Sequence, residues 1–329
     1  MKPGLKTQIL PAGEAAIAAA AACLADGGLV GFPTETVYGL GADATNAKAV
    51  ARLYEAKGRP AFNPLIAHVA DLDAARQIAA FDRLAEGLAE AFWPGPLTLV
   101  LSKTGDCPVA DLATAGLDTI AIRVPAHPVA QDILRAFGRP VVAPSANLSG
   151  HVSPTTAAHV ESDLRGRIDL IVDGGPVAVG VESTIIGCFE TPTLLRPGGL
   201  PREAIEHVIG RTLVRLPENS ANEASAPLAP GMLTSHYAPR TPVRLEAGHI
   251  DAGEALLAFG AADISGARAA HAVMNLSPRG DLTEAAVNLF SHLRALDQTG
   301  ARTIAVMPVP HHGLGEAIND RLRRAAAGR

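Results

Sequence analysis

Short apolar runs alternate with longer segments of helical periodicity along the first 210 residues. The apolar runs predict strands, some leading into turns, at residues 28–33, 65–69, 97–101, 119–125, 140–150, 170–176, 180–186 and 194–199. Helical periodicity predicts helices at residues 14–25, 47–56, 71–91, 127–137 and 201–209, with a further helix running through Val160. Strands that alternate with helices are typical of an α/β protein.

A change in composition then divides the chain in two. Residues 217–230 are rich in Glu, Asn, Ser, Ala and Pro and have little apolar periodicity, which is typical of a linker. Beyond them the pattern predicts a second, smaller α/β unit, with strands at 243–245, 255–259, 272–276 and 303–307 and helices at 282–296 and 314–325. We therefore expect one domain at residues 1–210, a linker at 211–239 and a second domain at 240–329.

Composition narrows the class of protein. The chain has 329 residues, is 48% hydrophobic and only 19% charged, so each predicted domain has enough apolar residues for a core. The net charge of −5 argues against non-specific nucleic-acid binding. Three widely separated cysteines form neither a disulfide framework nor a zinc motif. No apolar run approaches the length of a membrane span, so we expect a cytoplasmic protein without a membrane partner.

The segment at residues 31–44, GFPTETVYGLGADA, is the most informative one. Pro33 should end the preceding strand, which leaves the polar residues 34–36 at its carboxyl end, where ligands bind in open α/β sheets. We interpret Gly39 and Gly41 as a turn or a close backbone approach. They also fit a dinucleotide-binding fingerprint as a bare string, but six residues separate them from the strand and no acidic strand end follows.

Hydroxyls and cations recur at other predicted strand ends and loops. Lys57 and Arg59 lie in a Gly- and Pro-containing loop, which suits phosphate oxygens but is also compatible with a solvated turn. His68 is either a hydrogen-bonded core residue or a ligand contact. Besides His68, the candidates are Thr34, Thr36, Lys57, Arg59, Asn63, Arg123, Ser145, Asn147, Ser183 and Arg196. The sequence has no P-loop, no G-x-S-x-G elbow and no H-E-x-x-H motif, so catalysis by positioning and charge stabilisation is favoured.

Six motifs in order resemble the YrdC-like domain: GFPTETVYGLGADA, KGRPAFNPL, PGPLTLVL, IAIRVPAHP, APSANLSG with SPTT, and LLRPGG. The segment PGMLTSHYAP and the second α/β unit resemble the long, two-domain form of the threonylcarbamoyl-AMP synthase family. This resemblance implies a twisted, open, mixed sheet with helices, followed by a smaller Rossmann-like α/β domain. It also implies synthesis of L-threonylcarbamoyladenylate from L-threonine, bicarbonate and ATP, with release of pyrophosphate. The product would serve N6-threonylcarbamoyladenosine formation at position 37 of ANN-decoding tRNAs.

The resemblance also implies residue roles. Threonine would be bound by Thr36, His68, Arg123, Ala143 through its backbone, and Ser183. ATP would be bound by Lys57, Arg59, Asn63, Thr119, Ser145, Asn147, Ser153, Arg196, His236 and Tyr237. Lys57 and Arg59 would act by positioning, with no protein nucleophile. Mg²⁺ would come with ATP and be held by its phosphates, and no organic prosthetic group is implied. A downstream threonylcarbamoyl transferase machinery and tRNA would be indirect partners.

Two other functions stay open from the sequence. Related domains have been associated with double-stranded RNA, and a concave basic surface could hold a phosphodiester backbone. A similar domain also occurs in hydrogenase-maturation carbamoyltransferases, but the zinc-finger-like and acylphosphatase segments of those larger chains are absent here.

Overall fold

The structure, a computed structural model, describes residues 5–215 and 237–327. Its helices are α1 (Glu14–Ala25), α2 (Ala47–Lys57), α3 (Leu72–Ile78), α4 (Arg83–Phe92), α5 (Pro128–Phe137), α6 (Ala157–Leu164), α7 (Arg202–Ile209), α8 (Leu282–Asp297) and α9 (Leu314–Ala326). Its strands are β1 (Gln8–Pro11), β2 (Val30–Pro33), β3 (Tyr38–Asp43), β4 (Ile66–His68), β5 (Leu97–Ser102), β6 (Thr119–Arg123), β7 (Val141–Val142), β8 (Leu170–Asp173), β9 (Thr184–Gly187), β10 (Thr193–Arg196), β11 (Val214–Arg215), β12 (Val243–Arg244), β13 (Glu254–Ala258), β14 (Val273–Asn275) and β15 (Thr303–Val306).

The first eleven strands form one mixed sheet in the order β1-β8-β2-β3-β7-β4-β6-β5-β9-β10-β11. Strands β4 and β6 pair in parallel, whereas β2 with β3 and β5 with β6 pair antiparallel. Helices α1 and α5 cover one face of the sheet through residues such as Leu24 and Ile133. The opposite face packs against helices that include α2, α4 and α6, through residues such as Leu53 and Leu88. The result is a three-layer α/β domain.

The second sheet is smaller and entirely parallel, in the order β12-β15-β13-β14. Its core includes Phe290 of α8 and Ile318 of α9. The same cluster contains Val37 and Val181 of the first domain, together with Tyr237. The apolar core of the C-terminal domain therefore continues onto the loops that follow β2 and precede β9.

Local capping explains several element boundaries. The side chain of Asn46 accepts hydrogen bonds from the backbone at the start of α2, and Gly58 ends that helix in the left-handed region at φ 60°. Thr156 caps α6 through a hydrogen bond to the backbone of His159. The end of α2 thus lies beside the loop of Arg59, and the start of α6 lies beside the loop of Ser153.

The structure corrects some sequence-based expectations. Residues 71–91 form two helices because the chain extends at Ala79, which bridges to Lys103, and Asp82 then caps α4. The segment around Gly39 and Gly41, interpreted as a turn or a close backbone approach, is strand β3, which forms a hairpin with β2. Strands β1 and β11 were not predicted. The predicted linker segment at residues 217–230 lies outside the described residues, so the proposed domain division stays a prediction.

Candidate functional site

A pocket lies where β2, β6 and β10 end and where β3 and β9 begin. Its lining comprises Thr34, Thr36, Val37, Gly39, Arg59, Ile66, His68, Arg123, Ala143, Pro144, Ser145, Glu182, Ser183, Arg196 and Tyr237. The structure thus brings together nine of the residues assigned from the resemblance, drawn from distant parts of the chain: Thr36, Arg59, His68, Arg123, Ala143, Ser145, Ser183, Arg196 and Tyr237. The cavity volume is about 40 Å³, which holds a few water molecules at most.

Arg123 is buried at the end of β6 and is paired with a carboxylate. Its guanidinium donates to Glu35 Oε1 at 2.6 Å and to the Gly95 carbonyl at 3.2 Å. The second oxygen of Glu35 accepts from the backbone N–H of Ala126 at 3.0 Å. A buried cation held on two sides in this way has a fixed direction. Glu35 belongs to the TET sequence at the end of β2, but the sequence analysis gave it no role.

His68 lies directly beside Arg123, because the parallel register of β4 and β6 pairs the two residues. The imidazole is buried, and its Nδ1 lies 3.2 Å from the Ile66 carbonyl oxygen. Burial, together with the positive charge of Arg123, lowers the pKa of His68 to about 3. The ring is therefore neutral at physiological pH, and the two possibilities left open for His68 coincide: it is both a hydrogen-bonded core residue and part of the pocket wall.

Small polar groups complete this side of the pocket. The hydroxyls of Thr36 and Thr34 are 2.9 Å apart, and Ser183 Oγ lies 2.7 Å from Thr98 Oγ1. The backbone N–H of Ala143 donates to the Ile66 carbonyl at 3.1 Å. These groups offer hydroxyl and carbonyl oxygens to a small polar ligand.

Arg59 enters the pocket from the loop after α2. Its guanidinium donates to the backbone carbonyls of Asn63 and Pro64, at 3.3 and 3.0 Å, which fixes the loop around it. Burial is the main reason that its pKa falls to about 10, so Arg59 stays charged at neutral pH. The buried Oδ1 of Asn63 has no hydrogen-bond partner within the described residues.

Lys57 lies behind the pocket wall rather than in it. Its ammonium donates to the carbonyls of Ser145 and Asn147, each at 2.5 Å, and is almost fully buried. Burial, with the nearby charge of Arg59, lowers its pKa well below the usual value. The Asn147 amide donates to the carbonyls of Leu148 and His151 and so folds the same loop. In this conformation Lys57 and Asn147 shape the loop that presents Ser145.

Arg196 and Glu182 form another charged part of the pocket wall. The Arg196 guanidinium donates to the Ser183 carbonyl at 2.9 Å and to its hydroxyl at 3.1 Å. Ser153 Oγ donates to Glu182 Oε1 at 2.5 Å. Although burial opposes ionisation, the charges of Arg321 and Arg196 hold the pKa of Glu182 down at about 2. Ser153 thus does not line the pocket itself but is hydrogen-bonded to Glu182, which does. Glu182 did not stand out in the sequence.

Tyr237 closes the remaining side. Its backbone adopts φ 63°, unusual for a residue other than glycine, and its ring stacks on Phe290 at a centroid distance of 5.6 Å. His236, assigned to ATP together with it, lies outside the described residues. Thr119 is at the start of β6, four residues from Arg123 and therefore about 13 Å from it, and it does not line the pocket.

The electrostatics of the pocket favour an anionic ligand. Among the described residues that line it are three arginines and one carboxylate, Glu182, while His68 is neutral. This surplus of positive charge lies in a largely buried setting, where charge interactions are stronger than in water. The arrangement can bind carboxylate and phosphate groups and offers no activated nucleophile among these residues.

Comparison with known proteins identifies the family. The model of the Sua5, YciO and YrdC proteins, described as telomere recombination, matches residues 22–198, and that of the threonylcarbamoyl-AMP synthase C-terminal domain matches residues 200–327. A threonylcarbamoyl-AMP synthase of Bacillus subtilis is 42% identical over 98% of this chain and 96% of its own. The chain belongs to the two-domain threonylcarbamoyl-AMP synthase family.

Further members of this family agree in sequence and in structure. The threonylcarbamoyl-AMP synthase of Pyrococcus abyssi is 46% identical over 94% of both chains. The crystal structure of P. abyssi Sua5 complexed with L-threonine is similar with a TM-score of 0.88 and 41% identity, covering 98% of this chain and 97% of that one. The resemblance and the fold expected from it are thereby confirmed. Within the described ranges, no helix is both long and apolar enough to cross a membrane.

Proposed function

We propose that this chain condenses L-threonine, bicarbonate and ATP into threonylcarbamoyl-AMP and pyrophosphate. The observation that carries the proposal is the match of the whole two-domain chain to enzymes of that name, combined with a pocket that holds three buried arginines. In class it would be a nucleotidyltransferase. Its product would feed N6-threonylcarbamoyl modification of adenosine 37 in ANN-decoding tRNAs through a downstream transferase.

Threonine would lie against the wall built by β4 and β6. Arg123 would bind its carboxylate, because the contacts to Glu35 and Gly95 leave part of the guanidinium able to donate. The neutral His68, Thr36 and Ser183 would surround the side chain and amine, with the backbone of Ala143 at the back of the pocket. Discrimination against valine would need one of these polar groups to bond the threonine hydroxyl.

ATP would lie on the opposite side, between Arg59, Arg196 and Tyr237. The two arginines would bind phosphate oxygens, with Ser145 beside them, and Ser153 would act through its hydrogen bond to Glu182. Asn63 would contribute the buried Oδ1 of its side chain, and His236 would act with Tyr237. Because Lys57 and Asn147 hold the loop of Ser145, their part in ATP binding would be exerted through that loop. Direct contact of Thr119 with ATP would require the nucleotide to extend beyond the pocket.

The reaction itself would need alignment and charge neutralisation. Threonine's amine adds to bicarbonate with loss of water, or to CO₂ with loss of a proton, and gives an N-carboxylate. One oxygen of this N-carboxylate then attacks the α-phosphorus as the bond to pyrophosphate breaks. Both reactants are anions, so the arginines would offset their repulsion and stabilise the leaving group. No protein side chain forms a covalent bond in this scheme.

Mg²⁺ would enter as part of the nucleotide substrate. Within the described residues there is no group of three or more His, Cys, Asp or Glu side chains placed to hold a metal ion. Phosphate oxygens and water are ligands that Mg²⁺ accepts readily, so ATP itself would supply its coordination. The ion would neutralise phosphate charge alongside Arg59 and Arg196.

The test is pyrophosphate release from Mg²⁺ and ATP, with threonine and bicarbonate each present or omitted. We expect release only when both are present, and a product whose mass corresponds to threonylcarbamoyl-AMP. Pyrophosphate release that does not depend on threonine would contradict the proposal, as would the absence of any release from folded protein. In the second case a salt-dependent affinity for double-stranded RNA would favour the binding-module function instead.

A further inference from the structure

One arginine of the C-terminal domain lies in the buried interface with the first domain, behind the side of the pocket proposed to bind the nucleotide. Arg321 lies on α9 and is completely buried. Its Nε donates to Glu182 Oε2 at 2.8 Å, and its Nη1 donates to the Pro197 carbonyl at 2.9 Å. Both acceptors belong to the first domain: Glu182 precedes β9 and Pro197 follows β10, at the same end of this antiparallel pair of strands.

The same guanidinium also faces the closing tyrosine. Its central carbon is 5.2 Å from the centroid of the Tyr237 ring, a distance typical of a cation–π contact. On its other side the ring of Tyr237 stacks on Phe290 of α8. The C-terminal domain therefore contacts Tyr237 through two of its helices.

Arg321 is itself held in a fixed position by α9. Its neighbour Asp320 accepts from Arg321 Nη1 at 2.6 Å and from Arg324 Nε at 3.2 Å. Two residues before Arg321, the Asn319 amide donates to the carbonyls of Val309, Pro310 and Gly315. Because Asp320 holds Nη1 of Arg321, the guanidinium can impose a position on the groups that it contacts.

We propose that Arg321 is a positioning residue for the nucleotide side of the site, acting through Glu182 and Tyr237. The inference rests on the proposed function, because it gives that reaction a dependence on a residue of the C-terminal domain. Arg321 does not line the pocket, whereas Glu182 and Tyr237 do. Its role is to hold two walls of the pocket in one arrangement.

Removal of the guanidinium would change both walls. Glu182 would keep the Ser153 hydroxyl and the field of Arg196, but it would lose its main buried counter-charge. A buried carboxylate without its partner either takes up a proton or turns toward another cation. Turning toward Arg196 would draw that arginine from the pocket, and protonation would change the bond to Ser153.

The experiment compares Arg321→Met and Arg321→Lys in the full chain. For Arg321→Met we expect the KM for ATP to rise roughly 10- to 100-fold, the range that accompanies loss of a charged hydrogen bond, with a much smaller change in the KM for threonine. Arg321→Lys keeps the charge and should recover most of that loss. A merely structural role would change both KM values together, or neither.

Arg202→Met is the matched control. Arg202 joins the domains through an ion pair at 3.4 Å with Glu316, which lies on α9 as Arg321 does. Arg202 contacts neither Glu182 nor Tyr237. Glu316 keeps a second partner, Arg215, at 3.0 Å in this variant. The control should therefore retain wild-type KM values for both substrates.

A double-mutant cycle that combines Arg321→Met with Glu182→Gln shows whether Arg321 acts through Glu182. If Arg321 acts through Glu182, the effects of the two changes on kcat/KM for ATP will be strongly non-additive. Folded Arg321→Met enzyme with the wild-type KM for ATP would overturn the inference, as would an equal loss in Arg202→Met. Should Arg321→Met fail to fold, Glu182→Gln tests the same contact from the other side, and an unchanged KM for ATP in that folded variant would overturn the inference. An inactive wild-type enzyme would instead refute the proposed function.

Discussion

At the scale of single residues, two buried ion pairs lie at the pocket. Arg123 is paired with Glu35, and Glu182 is paired with Arg321. Each pair costs desolvation free energy, and breaking one leaves an uncompensated buried charge, which is costlier than the pair itself. Substitutions at these positions therefore act on stability and on activity together, and the two effects must be measured separately.

Arg123→Ala should lower both the activity and the stability of the protein, whereas loss of an exposed arginine should change neither. We expect a fall in kcat/KM for threonine of roughly 100-fold, from the lost carboxylate contact, and destabilisation of about 3 kcal/mol from the stranded Glu35. Kinetics at several threonine concentrations and urea unfolding would measure the two effects. The control is Arg76→Ala, whose exposed bridges to Asp73 and Glu86 lie far from the pocket and whose loss should change neither. Unchanged threonine kinetics in folded Arg123→Ala would contradict the assignment.

His68 predicts a specific dependence of stability on pH. The folded protein keeps the imidazole neutral down to about pH 3, whereas the unfolded chain takes up a proton below about pH 6.5. The unfolded state therefore binds more protons in this window, and stability falls as the pH decreases. Between pH 7 and pH 5 the loss from His68 alone should be about 2 kcal/mol. Glu182, with a pKa of about 2, contributes its own loss only at lower pH, below about 4.5.

Urea unfolding at pH 7 and pH 5 would test this for the wild type and for His68→Gln. The variant should lose about 2 kcal/mol less than the wild type between the two pH values, whatever its absolute stability. The pKa of His159 is lowered to about 4, mainly by burial, so His159→Gln should flatten the dependence by a similar amount. An unchanged slope in His68→Gln would show that its imidazole titrates normally in the folded protein.

Sequence reasoning located the polar strand ends but not their pairing. Thr36, Lys57, Arg59 and Arg123 stood out because polar residues after apolar runs are visible in one dimension. Glu182 and Arg321, 139 residues apart, are joined only by packing between domains, and no local pattern relates them. The burial of Lys57 against two carbonyls is likewise a tertiary property, so its one-dimensional interpretation as a phosphate ligand did not include its contact with the Ser145 loop.

At the scale of elements, the hairpin of β2 and β3 positions the TET sequence. Its tight fit depends on glycine, since an added Cβ at Gly41 would lie 2.7 Å from Phe32 Cε1 and 3.1 Å from Val141 Cγ1. From the sequence, either a turn or a close backbone approach was open for Gly41, and strand β3 was not visible because Gly39 and Gly41 carry no side chains to give a strand its alternation. The split between α3 and α4 was missed for the opposite reason, since apolar residues continue across the break.

Gly41→Ala and Gly87→Ala should therefore have opposite effects on stability. The first places a methyl group against the buried Phe32 ring and should destabilise the protein by about 1–3 kcal/mol. The second adds the same methyl group within α4, where nothing lies within 4 Å, and should stabilise it by about 0.5–1 kcal/mol. Urea midpoints at a common pH would measure both. Equal shifts in the two variants would contradict the proposed contact at Gly41.

At the scale of the whole molecule, the C-terminal domain completes the wall of the pocket. Its apolar core runs without a break from Phe290 to Val37 and Val181, and Arg294 adds a bridge to Asp163 at 3.1 Å. Domains joined through apolar packing and buried ion pairs are expected to unfold together rather than separately. The pocket and the contact between the domains would then be lost in the same unfolding transition.

Trp93 makes this cooperativity measurable, because it is the single tryptophan of the chain and lies in the first domain. In the wild type, urea transitions followed by Trp93 fluorescence and by far-ultraviolet circular dichroism should coincide. Phe290→Ala removes the ring that stacks on Tyr237 and is buried in the C-terminal core, at a cost of about 3–5 kcal/mol. Because that loss falls on one domain and on its contact with the other, the two probes should separate, with the dichroism changing at lower urea. Separate transitions in the wild type itself would mean that the domains fold independently, and the pocket wall formed by Tyr237 could then be lost while the first domain remains folded.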